Sequence, residues 1–270
     1  MPRIVHVSDS HLSPTAPFAD DNWQAVLDHL DQDPPTLVIH TGDISLNGAD
    51  HIGDLEHARR QLDRIRVPWL AIPGNHDIGD LGETSQPVTA ARRDRYAEVF
   101  GDDRWSTRID GWHLIGLDVQ TLASDLPAST ELWDWFADHL DDRDPTAVWI
   151  HRPLQPWAAG EIDDPNRYLP AAVRHRLSAL MARADVRLIG TGHVHQWRLV
   201  GEGTTHVWAP STWASLPDRI QPVIGAKTVG IVEHELRFTD GEASVSSVLV
   251  RPRAIADVII GDDFLSPYTH

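Results

Sequence analysis

The chain has 270 residues, 41% of them hydrophobic, with 40 Asp and Glu against 23 Lys and Arg, a formal charge of −17 and no cysteine. That balance excludes a disordered chain and a disulfide scaffold, and it disfavours broad electrostatic adhesion to long nucleic acid or anionic lipid. No apolar run approaches the roughly 18 residues of a membrane span, and the opening "MPRIVHVSDSH" leaves no room for a secretory leader, so the cytoplasm is the expected compartment. Strand-like runs at 3–9, 36–43 and 67–77 each end in a polar loop, with amphipathic helical patterns at 22–32 and 50–65 between them. The alternation continues through a strand at 112–119, a helix at 130–140, a strand at 146–153, a helix at 171–184 and a strand at 186–195. This reads as a series of βαβ units around a buried sheet. Beyond it, 205–212, 227–240 and 243–252 have strand composition with no helix between them, and "TDGEA" is a hairpin signal. These later runs are expected to be mainly antiparallel strands of a second sheet packed on the first. A single domain over 1–270 is expected, with its site motifs within 9–195, an irregular loop at 154–170 and a C-terminal tail at 253–270.

In open α/β sheets, functional groups collect at the carboxyl ends of the strands. Here those ends carry Asp9 and His11 in "SDSH", Asp43 in "TGD", Asn75, His76 and Asp77 in "GNHD", His151 in "WIHRPL", and His193 and His195 in "GHVH". Each motif alone reads as turn polarity or helix capping. Together they would be repulsive and poorly solvated at one rim, unless divalent cations satisfied the carboxylates and imidazole lone pairs. Oxygen and nitrogen donors without sulfur suit Mn, Fe, Zn, Ni or Co. Seven candidates (Asp9, His11, Asp43, Asn75, His151, His193, His195) exceed what one ion with an open position accepts, and fit two ions about 3.5–4 Å apart sharing a carboxylate. In an extended segment, His193 and His195 would face the same way about 6.5–7 Å apart, one for each ion.

The ordered set "SDSH … TGD … GNHD … H … GHVH", spanning residues 9–195, resembles the calcineurin-like metallophosphoesterase superfamily. The "SDSH" opening and the glycine-then-helix segment after "TGD" look most like the bacterial class III cyclic-nucleotide phosphodiesterases. The resemblance implies an α/β fold, a four-layer αββα sandwich of two mixed sheets, with a dinuclear centre, Fe or Mn favoured, at the carboxyl ends of the strands. On the matching positions it implies Asp9, His11 and His195 on the first metal, Asn75, His151 and His193 on the second, and Asp43 bridging. It places His76 beside the substrate phosphate as transition-state stabiliser or proton donor, with Asp77 orienting that imidazole. The stretch 154–170 departs from anything in that pattern.

Two divalent ions lower the pKa of a shared water, the nucleophile for in-line attack on phosphorus. The expected activity is therefore hydrolysis of small phosphodiesters, with 3′,5′-cyclic nucleotides the leading natural candidates. The alternatives are a phosphomonoesterase acting on a small metabolite, and a metal-binding scaffold without catalysis. Arg152 is a candidate contact for a phosphate oxygen. Asp118 reads as a turn cap, His6 and His40 as core residues, and Trp157, Trp197 and Trp213 as packing residues or stacking surfaces for an aromatic ester. Loops 79–91 and 154–170 are the expected carriers of specificity. The partner is expected to be a small phosphoester, not long nucleic acid or a membrane, and a homodimer is left open.

Overall fold

Short runs such as "LVI", "LIGL" and "AVWI" are apolar at almost every position, the composition of strands buried on both faces. In the computed structural model, which describes residues 1–17, 20–82, 85–140, 144–158 and 160–261, they are just that. The first sheet is built from β1 (Arg3–Val7), β2 (Leu37–His40) and β3 (Trp69–Ala71), with α1 (Asp20–Gln32), α2 (Ile52–Leu62), α3 (Asn75–Ile78) and α4 (Ala90–Phe100) between and after them. The second contains β4 (Arg104–Ile109), β5 (Trp112–Leu117), β6 (Thr146–Ile150), β7 (Val186–Thr191), β8 (Arg198–Val200) and β9 (Thr205–Trp208), with α5 (Val119–Leu122), α6 (Pro127–His139) and α7 (Ala171–Met181). The chain then returns to the first sheet through β10 (Ile231–Thr239) and β11 (Glu242–Val250). Strand orders are β11-β10-β1-β2-β3 and β4-β5-β6-β7-β9-β8.

Strand periodicity sorts side chains into three buried layers. Ile4, Ile39, Leu114, Ala147, Trp149 and Leu188 point between the sheets. Their neighbours Val5 and Val38 face Trp23, Leu30, Leu55 and Leu62 of α1 and α2. On the far side, Ile115, Val148 and Ile189 face Leu132, Phe136 and Leu177 of α6 and α7. This is the expected four-layer αββα sandwich. His6 and His40 are fully buried in it, as expected of core residues. His6 lies edge-on to Trp149 at 4.9 Å, and burial holds its imidazole well below the ordinary range.

The expectation that the strands of 205–252 make the second sheet does not hold. β9 is parallel to β7, whereas β10 runs antiparallel to β1, with Ile4 opposite His234, and closes the first sheet. Sheet membership is decided by backbone pairing, and strand composition carries no record of which partner is chosen. The hairpin at Asp240-Gly241 is present, both residues at positive φ, and joins β10 to β11. The tail expected at 253–270 is described only to 261, and the expected specificity loops contain 83, 84 and 159, which also lie outside the described residues. No helix among the described residues is long and apolar enough to cross a membrane.

Candidate metal centre

Strands β1, β2, β3, β6 and β7 run parallel within their sheets, so their carboxyl ends share one rim. Asp9 and His11 follow β1, Asp43 follows β2, the one-turn α3 begins at Asn75, His151 follows β6, and His193 and His195 follow β7. The rim is tied across the two sheets by the His193 N–H, which donates to both oxygens of Asp9 at 3.1 and 3.0 Å, and within the second sheet by the Gly192 N–H, which donates to the His151 carbonyl at 2.8 Å. The ends of β1, β2 and β7 do not continue as extended chain. Asp9, His11, Asp43, His193 and His195 all adopt positive φ, between 43° and 69°. The left-handed region is costly for residues with a Cβ, and its concentration here marks a geometry that the surrounding structure enforces. His193 and His195 are therefore separated by tight turns, not by the pleat of a strand.

Two groups of potential ligands result, and Asp43 belongs to both. Asp9, His11, Asp43 and His195 each bring a donor atom within 4.8 Å of the others, as do Asp43, His151 and His193. His11 Nε2 lies 3.1 Å from His195 Nε2 and 3.9 Å from Asp43 Oδ2, and His195 Nε2 is 3.5 Å from Asp9 Oδ1. In the second group His151 Nε2 lies 3.3 Å from Asp43 Oδ1 and 3.0 Å from Asn75 Oδ1. The structure thus brings together all seven residues proposed as ligands from the sequence.

The opposite face of each of three imidazoles is held by a backbone carbonyl. His151 Nδ1 meets Thr41 O at 2.7 Å, His195 Nδ1 meets Ala214 O at 2.8 Å, and His193 Nε2 meets Asn166 O at 2.7 Å. A carbonyl only accepts, so these nitrogens carry protons, and the other ring nitrogen of each imidazole is the atom whose lone pair a cation would take. Converging lone pairs and carboxylates require positive charge, and anchoring the outer N–H on a carbonyl is how metal-binding histidines are fixed. The donor set fits divalent cations. Protons respond to the same demand: burial opposes charge on His151, yet Asp43 beside it pushes the imidazole up to about 9. His195 is likewise raised, against burial, by Asp9. Burial alone would lift the Asp43 carboxyl, but His151, His76 and His11 around it hold it well below the usual carboxylate range. His11 and His193 are lowered, both chiefly by burial, then by His76 and by Arg152 respectively.

The glycines of the two most specific motifs are explained by contact. A Cβ on Gly74 would lie 2.2 Å from Asp43 Oδ1, and one on Gly192 would lie 1.8 Å from Ser8 Oγ and 2.6 Å from Asp9 Oδ2. Both positions must lack a side chain for the carboxylates to sit where they do.

Two expected roles are corrected. Asp77 does not orient His76: its oxygens accept from the Ile44 and Ser45 N–H groups, the Ser45 hydroxyl and the Gly74 N–H, at 2.6–3.1 Å. It ties the loop after β2 to the loop after β3, and burial followed by Asp43 raises its carboxyl. The His76 imidazole is instead positioned through Nδ1, 2.7 Å from the Leu46 carbonyl. Arg152 is not an available phosphate contact. It is fully buried, and its guanidinium is paired with Asp80 and donates to Pro165 O at 2.7 Å. Asp118 is a cap as expected, accepting the N–H groups of Gln120 and Thr121 at 2.9 and 3.0 Å.

The centre opens into a cleft of about 290 Å³, lined on one side by Leu46, Trp213, Leu216, Ile220 and Ile260, and on another by Asp164, Asn166 and Arg167. Of the three tryptophans considered, only Trp213 reaches it; Trp157 packs on His206 at 4.6 Å and Trp197 belongs to the layer between the sheets. The carbonyl anchors and Arg167 are absent from the sequence reading. A backbone oxygen has no residue signature, and Arg167 lies in a loop without periodicity.

The model of the calcineurin-like phosphoesterase family matches residues 2–197. A protein of Synechococcus sp. named "probable cyclic nucleotide phosphodiesterase" is 29% identical over 196 residues, 70% of this chain and 69% of its own. The serine/threonine-protein phosphatase CPPED1 of Mus musculus is 28% identical over 151 residues, 53% of this chain and 46% of its own, so the match spans about half of that relative. The crystal structure of a dimetal phosphatase from Danio rerio has the same fold, with a TM-score of 0.59 at 14% identity, covering 87% of this chain and 93% of that one. With the sandwich, the ligand groups sharing Asp43 and the family match over 2–197, the chain belongs to the calcineurin-like phosphoesterase family and is a metal-dependent phosphoric ester hydrolase.

Proposed function

We propose that the protein hydrolyses small phosphodiesters, with 3′,5′-cyclic nucleotides as the natural candidates, at a centre of two divalent cations. Asp9, His11 and His195 would hold one ion, Asn75, His151 and His193 the other, and Asp43 both. The observation that carries this reading is the pair of ligand groups sharing Asp43, each with anchored imidazoles. When bound, such ions supply Lewis-acid activation of water and of the phosphoryl oxygens, and the all-oxygen and nitrogen donor set suits Mn or Fe. His76 lines the same cleft, against the His11 ring at 4.6 Å. With Nδ1–H on the Leu46 carbonyl, its Nε2 is the atom to give a proton to the departing oxygen.

Two features support a diester over a monoester. The cleft extends well beyond the volume of a phosphate, leaving room for a second ester group. Its one Lys or Arg among the described lining residues is Arg167, with Asp164 beside it at 3.0 Å, so the lining side chains offer a single guanidinium, which suits the one negative charge of a diester better than the two of a monoester. The similarity to a protein phosphatase favours the second reading, phosphomonoester hydrolysis. A panel run with added Mn separates them: a cyclic nucleotide, a bis-aryl phosphate and an aryl monophosphate. Faster turnover of the diesters is expected; a monoester rate equal to or above theirs overturns the proposal.

A further inference from the structure

The cleft beside the centre has two unlike walls, and both are built. The apolar wall gathers Leu46 from the loop after β2, Trp213, Leu216 and Ile220 from the segment after β9, and Ile260. Trp213 lies 4.7 Å from the ring of His11, which ties this wall to the centre. Asn22 clamps it from beneath, its carboxamide donating to Trp213 O at 3.2 Å and Ala256 O at 3.0 Å. Ser215 pairs with the C-terminal segment, donating to Val258 O at 2.8 Å and accepting from Ile260 N–H at 3.1 Å. Lys227 fixes the outer part through the Leu216 and Gln221 carbonyls, at 2.8 and 2.7 Å, and the Asp218 carboxylate at 2.6 Å. Yet Ile220 remains 38% exposed at the mouth. A rigidly held apolar surface facing a catalytic cleft is a surface for an apolar part of the substrate.

The opposite wall comes from the loop with no counterpart in the sequence pattern. Buried Arg152 holds it through Pro165 O, and Glu161 gathers it by accepting from Tyr168 Oη, Arg198 Nη1 at 2.8 Å and Ala158 N–H at 2.9 Å. Asn166 O sits on His193, and the next residue, Arg167, lines the cleft with Asp164 as its partner.

We propose that the cleft is a two-sided subsite selecting phosphodiesters whose ester group bears a flat aryl or heteroaryl ring. That group lies on the wall of Leu46, Trp213, Leu216, Ile220 and Ile260, while Arg167 meets a non-bridging oxygen of the phosphate from the other side. The substrate class rests on the diesterase reading, but the subsite itself is testable without turnover.

Calorimetric titration of the Mn-loaded protein with diphenyl phosphate and with dimethyl phosphate compares the same charge with and without the apolar groups. The aryl ester is expected to bind at least about tenfold tighter, with a negative heat-capacity change. The pair Leu216→Ser and Ile220→Ser, at partly exposed positions where folding is safe, should cut that preference by about tenfold. Arg167→Ala should weaken both esters by a similar factor of about ten, with partial recovery in Arg167→Lys. Equal affinities for the two esters in the wild type, or a preference unchanged by the serine pair, would overturn the apolar subsite. Unaltered affinities in Arg167→Ala would overturn the role of Arg167. Turnover of bis(p-nitrophenyl) phosphate is followed in parallel: aryl-selective binding without hydrolysis leaves the subsite standing and removes the diesterase reading.

Discussion

Gly74→Ala is the sharpest perturbation of the centre, because it adds one methyl and removes no ligand. The new Cβ would lie 2.2 Å from Asp43 Oδ1, 2.3 Å from Asp43 N and 2.8 Å from His151 Cε1. Reaching an ordinary contact of 3.4 Å demands a displacement of about 1.2 Å at Asp43, which is buried and accepts the His76 N–H at 2.9 Å. Overpacking of this kind costs about 1–3 kcal/mol, which for a chain of this size lowers Tm by roughly 3–10 °C. Asp43 belongs to both ligand groups, so the shift disturbs both, and a misplacement near 1 Å costs about 100-fold in rate. The assays are thermal unfolding, elemental analysis after Mn loading, and turnover of a bis-aryl phosphate. Gly53→Ala is the control: nothing lies within 4 Å of its Cβ in α2, and it should gain about 0.5–1 kcal/mol. A Gly74→Ala protein that holds two equivalents of Mn and turns over at the wild-type rate would refute the argument that this glycine exists to admit Asp43.

The other expectations separate the roles of individual side chains. Asp43→Ala should lose activity and bound metal together in elemental analysis, since it empties a position common to both groups. His76→Gln should keep its metal content while kcat falls about 100- to 10,000-fold, the range for loss of a general acid, and the fall should shrink for esters with better leaving groups. Asp118 bears on stability, not turnover. Burial and then Asp103 push its carboxyl from 3.8 up to about 7. A folded-state value above the unfolded one makes its contribution fully present below about 3.8 and lost as pH rises through about 7, by up to about 4 kcal/mol. Asp118→Asn, which keeps an acceptor for the Gln120 and Thr121 N–H groups, should flatten denaturation midpoints between pH 4 and pH 7; an unchanged slope would count against a buried, protonated Asp118.

Much of the centre was legible in the chain because ligand chemistry is a property of residue type. Carboxylate, carboxamide and imidazole at five strand ends admit few readings other than cations, and the structure brings six of the seven candidates into two groups, with Asn75 Oδ1 3.0 Å from His151 of the second. The parallel strands and helices α1, α2, α6 and α7 are legible for the same local reason, apolar spacing, whereas α4, with only Tyr96 buried, carries too weak an apolar stripe to read. The hairpin at Asp240-Gly241 was found from its turn residues, and the equivalent Asp110-Gly111 turn between β4 and β5, at φ 47° and 79°, carried the same signal unread.

Other features depend on atoms that residue type does not encode. Asp77 and Arg152 were misassigned because a charged residue beside a motif reads as chemistry, whereas packing buried them and gave their hydrogen bonds to backbone groups and Asp80. The carbonyls of Thr41, Ala214, Asn166 and Leu46 orient imidazoles from distant segments, and every residue has a carbonyl. The return of β10 to β1 and the two-walled cleft follow from long-range pairing, decided by which surfaces find each other on folding. From its residues alone this chain determined which donors meet at the strand ends; the tertiary structure decided how they are held and what shape of ester can reach them, because position is set by contacts and not by composition.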